Sequence, residues 1–293
     1  MKPITRIEQS LAAALASVET EGCPPRLAGA IRHAVFPGGA RIRPQLCLAV
    51  ARACGDDDPG LADAVATAIE LLHCASLVHD DLPCFDDAAV RRGRASVSFA
   101  YGEPLAVLAG DALIVLAFER LAAASARSPA RLAPLVAAVA RGVGMPAGIV
   151  AGQAWECEPR VSLVEYERAK TGALFVASTT CGALAAGARP EPWRDLGEWL
   201  GQAYQAADDI RDVAADPGAL GKPGGRDAAL SRPSVAAEMG LDGALGHFDR
   251  LMARAVAAVP ACEGAASLRA LVRSESERLV PLSMCPNVAR VPA

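Results

Sequence analysis

Two aspartate clusters in this chain could do chemistry: Asp80, Asp81, Asp86 and Asp87, and then Asp208, Asp209 and Asp212. Both clusters lie in stretches dominated by alanine, leucine, valine and glycine, where a carboxylate is costly unless it is paired or coordinates a cation. Hard, oxygen-seeking divalent ions are the simplest occupants of such sites, and they point toward a diphosphate substrate. On a helix Asp208 and Asp212 are i and i+4, so their carboxylates share one face, with Asp209 alongside. A solvated acidic face is the bland alternative. The largely uncharged run Gly201–Ala207 before the cluster favours coordination. The first cluster is less regular. Pro83 should end a helix near Leu82. On an unbroken helix Asp86 would stand about 240° round from Asp80, on the wrong side. Either the Pro83 segment loops the chain back, or Asp86 is not a direct ligand.

Cations follow closely. Arg91-Arg92-Gly93-Arg94 suits phosphate oxygens. Only three of the 29 basic residues are lysines, Lys2, Lys170 and Lys222, so the two internal ones stand out. A compact ammonium and a guanidinium are not interchangeable at a phosphate. Two acidic clusters with cations between them would clamp one diphosphate through bridging Mg2+. The chemistry this suits is ionisation of a carbon–diphosphate bond, with metals and cations stabilising the leaving group. The resulting carbocation must be kept from water, which an apolar helical cavity would do.

The elements that must position these residues read as helices. Apolar positions at i, i+3, i+4 and i+7 predict helices over Thr5–Glu21, Pro25–Ala34, Pro44–Cys54, Gly60–Leu82, Pro104–Ala124, Pro129–Val143 and Leu163–Ala186. Glu191–Asp212, Pro233–Met239, Leu241–Ala257 and Ala265–Leu279 follow, with Pro and Gly at the joints. Aromatics are only 4% of the chain, and strand-period alternation never extends beyond a few residues. The expectation is an all-α fold, with residues 1–293 forming one helical-bundle domain around a central apolar cavity. A net charge of −4 without any basic block excludes a general nucleic-acid binder. Mean hydropathy is +0.25, yet no uninterrupted apolar run reaches membrane-spanning length. The N-terminus lacks a signal-peptide core. Nine cysteines without C-x-x-C spacing read as reduced thiols of a cytoplasmic protein.

The run His79-Asp80-Asp81-Leu82-Pro83-x-x-Asp86-Asp87, then Arg91-Arg92-Gly93, resembles the first aspartate-rich motif of the trans-isoprenyl diphosphate synthases (polyprenyl synthetases). Tyr204-Gln205-x-x-Asp208-Asp209-x-x-Asp212 resembles their second. Gly38-Gly39-Ala40-Arg41-Ile42-Arg43-Pro44, Leu108–Leu113, Gly152-Gln153, Lys170-Thr171-Gly172 and Gly221-Lys222 match in the family's order, so the resemblance covers about residues 36 to 230. Within the family the wording is most similar to bacterial geranylgeranyl diphosphate synthases of carotenoid and photosynthesis pathways. The resemblance implies the isoprenoid synthase fold, a homodimer, and Mg2+ as cofactor with three ions per site. It implies head-to-tail condensation of isopentenyl diphosphate with an allylic diphosphate: dimethylallyl, geranyl or farnesyl. By the same resemblance Asp80, Asp81, Asp86, Asp208 and Asp212 hold the metals. Arg91, Lys170 and Lys222 contact the allylic diphosphate, while Arg43, His73 and Arg92 bind that of isopentenyl diphosphate. Thr171 and Gln205 place oxygen dipoles near the allylic cation. Taken alone, His73 reads as a core histidine, Lys170 as a surface charge and Gln205 as a polar helix residue.

The chain also departs from the family pattern. Ala40 stands where a lysine is expected on isopentenyl diphosphate, a loss of roughly 1.5–3 kcal/mol unless replaced. Arg41 is one possible substitute. Arg232, followed by Pro233, replaces a lysine five residues after Asp227, and Ser98 replaces a histidine. In the family the fifth residue before the first aspartate is often aromatic where growth stops at fifteen carbons. Here it is Ala75, followed by Ser76, with Leu71-Leu72 one turn deeper as the floor. A twenty-carbon product, geranylgeranyl diphosphate, is therefore expected over farnesyl diphosphate. Two other readings stand beside this one. A non-catalytic regulatory subunit would account for Ala40 but not for intact acidic clusters. A class I terpene cyclase would share one cluster and the cavity but not two such motifs.

Overall fold

The computed structural model describes residues 2–159, 162–214 and 235–281. In chain order its helices are α1 (Pro3–Ala16), α2 (Pro25–Val35), α3 (Ile42–Ala53), α4 (Pro59–Asp80), α5 (Val97–Tyr101), α6 (Glu103–Ala124) and α7 (Pro129–Val143). Then come α8 (Ile149–Ala154), α9 (Leu163–Glu167), a wide π turn (Arg168–Gly172), α10 (Ala173–Ala185), α11 (Arg194–Ala214), α12 (Val235–Ala257) and α13 (Ala265–Leu279). The only sheet among the described residues is a two-residue antiparallel hairpin, β1 (Val90–Arg91) and β2 (Arg94–Ala95), with Val90 opposite Ala95.

Each long helix starts where its sequence demands. Pro59 occupies the first turn of α4, where a missing N–H costs nothing, and Asp58 caps the helix by accepting from the Leu61 N–H at 3.2 Å. Ser96 caps α5 through Phe99 in the same way. α4 is apolar on nearly every side, the pattern of a core helix. By length and composition it would cross a membrane, but most of it is buried among its neighbours. Burial of Leu61, Ile69, Leu71 and Leu72 contributes roughly 1.5–3 kcal/mol per side chain.

Two apolar clusters form the core, and α3 and α10 belong to both. Cys47, Leu48 and Ala51 of α3 join the cluster of α1, α2, α4 and α6, whereas Leu46, Val50 and Ala53 join that of α11, α12 and α13. On α10, Leu174, Ala177 and Cys181 serve the first cluster and Phe175 and Ala183 the second. Gly182 makes this possible: a Cβ there would lie 2.5 Å from the Cys47 carbonyl oxygen.

At a few points the helices depart from the periodicity reading, and at one they follow it closely. The expected Leu163–Ala186 helix is interrupted by the π turn, which adds a residue to one turn. The break expected between Pro233–Met239 and Leu241–Ala257 is present: within α12 the backbone leaves helical geometry at Gly240, whose φ of 69° suits glycine. α1 stops at Ala16, short of Glu21, and α5 and α8 are too short to carry a periodic signal.

Candidate functional site

The site forms where α4 ends. Asp80 is the last residue of α4, and the chain beyond it turns back on itself. The Leu82 N–H bonds to the His79 carbonyl, Phe85 and Asp87 bond to that of Leu82, and the Asp86 N–H reaches the Asp80 carbonyl at 2.9 Å. The Pro83 segment thus folds Asp86 against Asp80, on the same end of α4, instead of leaving it on the far side. Asp80 and Asp81 are buried. Burial pushes both carboxyls above their ordinary range, and Asp86 adds to that, while Lys170 and Gln153 oppose it at Asp80 and Arg91 opposes it at Asp81.

Each aspartate is held in place. Asp80 Oδ1 accepts from Gln153 Nε2 at 3.0 Å, and the same amide donates to the Ser76 carbonyl at 3.0 Å. Asp81 receives the Arg91 guanidinium, whose Nε lies 2.9 Å from Oδ1, and its carbonyl accepts from Ser98 Oγ at 3.0 Å. Ser98 therefore braces the backbone of the cluster. The hairpin β1–β2 turns at Arg92 and Gly93, both at positive φ. It lines an open cleft of about 420 Å3 with Arg91, Arg92, Arg94, His33 and Asp81.

The second cluster lies on α11, as its spacing requires. Arg211 Nη2 donates to Asp208 Oδ1 at 3.1 Å. Asp209 is buried and points the other way, accepting from Gln205 Nε2 at 3.0 Å and from the Val235 N–H at 2.8 Å. It thereby anchors the start of α12.

Between the clusters runs the π turn, and its consecutive residues reach one to each side. Lys170 Nζ stands 3.9 Å from Asp80 Oδ1. Thr171 Oγ1 donates to Gln205 Oε1 at 2.8 Å, one turn from Asp208 on α11. Two glycines permit this approach. A Cβ on Gly152 of α8 would meet Lys170 Cα at 2.4 Å, and one on Gly201 of α11 would meet Gly172 Cα at 2.6 Å.

Arg43 forms the floor beside them. It is buried, its guanidinium stacks over Phe175 at 4.7 Å and Tyr204 at 5.6 Å, and Nη1 lies 3.3 Å from His73 Nε2. Burial lowers the Arg43 pKa and holds that of His73 well below its ordinary value, the nearby arginines adding to the effect on His73. His73 is thus a neutral imidazole accepting from Arg43. The buried Arg43 Nε has no hydrogen-bond partner, an orphan that calls for an explanation.

Arg41 does not compensate for Ala40. Its side chain is fully buried, pairing with Glu8 at 2.8 Å and Glu70 at 2.6 Å and donating to the Val35 carbonyl at 2.7 Å. Arg92 packs against this loop, its guanidinium 3.2 Å from where a Cβ on Gly39 would lie. Ala75 is buried in the first apolar cluster, Ser76 is half-buried with Oγ donating to the His73 carbonyl, and Leu71 and Leu72 are buried one turn back. Lys222, Asp227 and Arg232 lie outside the described residues.

Sequence reasoning missed three residues. Gln153 had only a supporting match, while Glu156 and Tyr166 had none; Lys170 Nζ and Tyr166 Oη both donate to Glu156 Oε1. The three-residue spacing of Gln153 and Glu156, one helical turn, was the available signal.

The polyprenyl synthetase family profile matches residues 24–258. The chain belongs to the polyprenyl synthetase family. The geranylgeranyl diphosphate synthase of Cereibacter sphaeroides is 53% identical over 283 residues, covering 97% of this chain and 98% of its own. That of Rhodobacter capsulatus is 49% identical over 277 residues, covering 94% and 96%. Among solved structures, a geranyltransferase from Legionella pneumophila superposes with a TM-score of 0.80 at 27% identity, over 94% of each chain. A Helicobacter pylori geranyltransferase complexed with magnesium and isoprenyl diphosphate gives 0.79 at 27% identity, over 95% of this chain and 98% of its own. The donor set here suits magnesium, the ion in that Helicobacter structure. All five expected ligands are carboxylates, and Mg2+ prefers a few carboxylates plus water and substrate phosphate oxygens. Among the described residues no three His, Cys, Asp or Glu side chains converge into a ready-made metal cage.

Proposed function

We propose that this chain is a Mg2+-dependent prenyltransferase that adds isopentenyl diphosphate to allylic diphosphates and releases geranylgeranyl diphosphate. The observation that carries the reading is the π turn, from which Lys170 approaches Asp80 while Thr171 bonds to Gln205, one turn before Asp208 on α11. Similarity to the Cereibacter and Rhodobacter geranylgeranyl diphosphate synthases supports the product.

In this reading Asp80, Asp81 and Asp86 from one side, and Asp208 and Asp212 from the other, hold the ions on the allylic diphosphate. When bound, Mg2+ would bridge and neutralise that diphosphate as a leaving group. Arg91, Lys170 and Lys222 would add charge-assisted hydrogen bonds to its oxygens, each stronger than a neutral one. Arg91 would then exchange Asp81 for phosphate. Arg43, Arg92 and His73 would take the diphosphate of isopentenyl diphosphate, and the unpaired Arg43 Nε has a donor to offer it. Thr171 and Gln205 would turn oxygen dipoles toward the allylic cation. Ala75 and Ser76 would leave room for the growing tail, above the floor at Leu71 and Leu72, and residues 1–293 would act as one domain.

Assembly and location belong to the same proposal. α6 exposes Val107, Leu108 and Val115, and α5 exposes Phe99, an apolar surface suited to a second copy of the chain. The described cysteines are all free thiols, in keeping with a reducing, cytoplasmic setting. Purified protein given Mg2+, labelled isopentenyl diphosphate and farnesyl diphosphate should yield a twenty-carbon diphosphate. No product from a protein that still binds both substrates would exclude the enzyme reading. A fifteen-carbon end product from geranyl diphosphate would exclude the chain-length assignment.

A further inference from the structure

We infer that Glu156 is a positioning residue: it holds the Lys170 ammonium away from Asp80 and so keeps Asp80 open to a divalent cation. The inference rests on the proposed roles of Asp80 and Lys170. Lys170 stands between two carboxylates and is not shared equally. Its ammonium donates directly to Glu156 Oε1, while Asp80 Oδ1 is 3.9 Å away, beyond hydrogen-bond length. Tyr166 Oη donates to the same Glu156 oxygen at 2.7 Å, which fixes the carboxylate at the end of a short, rigid strut. The three groups are mostly shielded, with side-chain exposures of 20% for Lys170, 12% for Glu156 and 9% for Asp80. In such surroundings an ammonium needs a partner.

The geometry leaves Lys170 little choice. Gly152 brings α8 against the π turn, so the lysine backbone is fixed and only its side chain can turn. With Glu156 neutralised, the nearest carboxylate is that of Asp80. A direct ammonium–carboxylate bond there would occupy an oxygen that the metal needs and place a positive charge beside it. Glu156 thus stands in for the diphosphate until the diphosphate arrives. When it does, Lys170 can turn to the substrate, and Glu156 retains its bond from Tyr166.

The test is a double-mutant cycle read by Mn2+ binding to the full-length, substrate-free protein, followed by electron paramagnetic resonance. E156Q should weaken Mn2+ binding roughly ten-fold while Lys170 is present, the scale of one lost charge-assisted bond. In the K170Q background the same change should cost less than about two-fold, because nothing remains to invade Asp80. Equal factors in both backgrounds would mean simple through-space charge and would overturn the inference. D80N separates the two levels of the argument. If D80N abolishes Mn2+ binding and E156Q leaves it unchanged, the metal role of Asp80 stands and the positioning role falls. If D80N leaves binding intact, the reading of Asp80 fails and takes the inference with it. E156D, which keeps the charge on a shorter arm, guards against loss of folding; it should bind Mn2+ within about three-fold of wild type, and a ten-fold loss there would count against the strut.

Discussion

Glu167, at the end of α9, gives a quantitative handle on the electrostatics of this region. Its buried Oε1 has no hydrogen-bond partner. Burial, followed by the fields of Asp209 and Glu238, pushes its pKa from 4.5 up to about 7. Between those two values the folded protein holds a proton that the unfolded chain releases. Stability contributed by this group is therefore full below about pH 4.5, declines as pH rises, and is lost above about pH 7. A rise from 4.5 to about 7 sets an upper bound of about 3.4 kcal/mol, and partial solvent access reduces this to about 2 kcal/mol. Glu167→Gln copies the protonated side chain at every pH. Its stability relative to wild type should therefore climb by about 2 kcal/mol between pH 4.5 and pH 7.5. Urea unfolding of both proteins across that range, with chelator present, measures the difference directly. Parallel stability curves, or a variant that loses ground as pH rises, would refute the placement of Glu167 against Asp209.

Other substitutions probe the site at separate points. Ala75→Phe should shorten the product toward fifteen carbons with turnover largely kept; an unchanged product by chromatography would place the tunnel wall elsewhere. Ala40→Lys should lower the KM for isopentenyl diphosphate roughly ten-fold and leave the KM for the allylic substrate unchanged, since it supplies one charged hydrogen bond. Gly152→Ala would put a methyl 2.4 Å from Lys170 Cα. It should cost about 1–3 kcal/mol in thermal or urea unfolding and lower kcat, because α8 must move off the π turn.

The long helices were legible in the sequence because apolar residues recur at helical spacing between Pro and Gly joints, even on α4, where nearly every side is apolar, and Asp208 and Asp212 were legible because four-residue spacing on a helix leaves no freedom. Asp86 was not. Its position depends on the Asp86 N–H bonding to the Asp80 carbonyl, a loop closure that spacing alone does not dictate. The π turn was hidden for a similar reason: one extra residue in a turn leaves the apolar pattern of Leu163–Ala186 nearly unchanged yet redirects Lys170 and Thr171. Arg41 reads as a spare cation in the sequence and proves to be a buried strut to Glu8 and Glu70. Glu156 lies in neither acidic cluster, and its one-turn spacing from Gln153 says nothing of Lys170, which only the three-dimensional contact reveals.

In this reading two aspartate clusters close on one diphosphate through divalent ions. It is tested most directly by a crystal structure of the protein with Mn2+ and an unreactive thio analogue of farnesyl diphosphate. Anomalous peaks should lie between the diphosphate and Asp80, Asp81 and Asp86 on one side, and Asp208 and Asp212 on the other, with Lys170 moved from Glu156 to a phosphate oxygen. A diphosphate bound with no metal on either cluster, or metal on one cluster alone, would contradict the account.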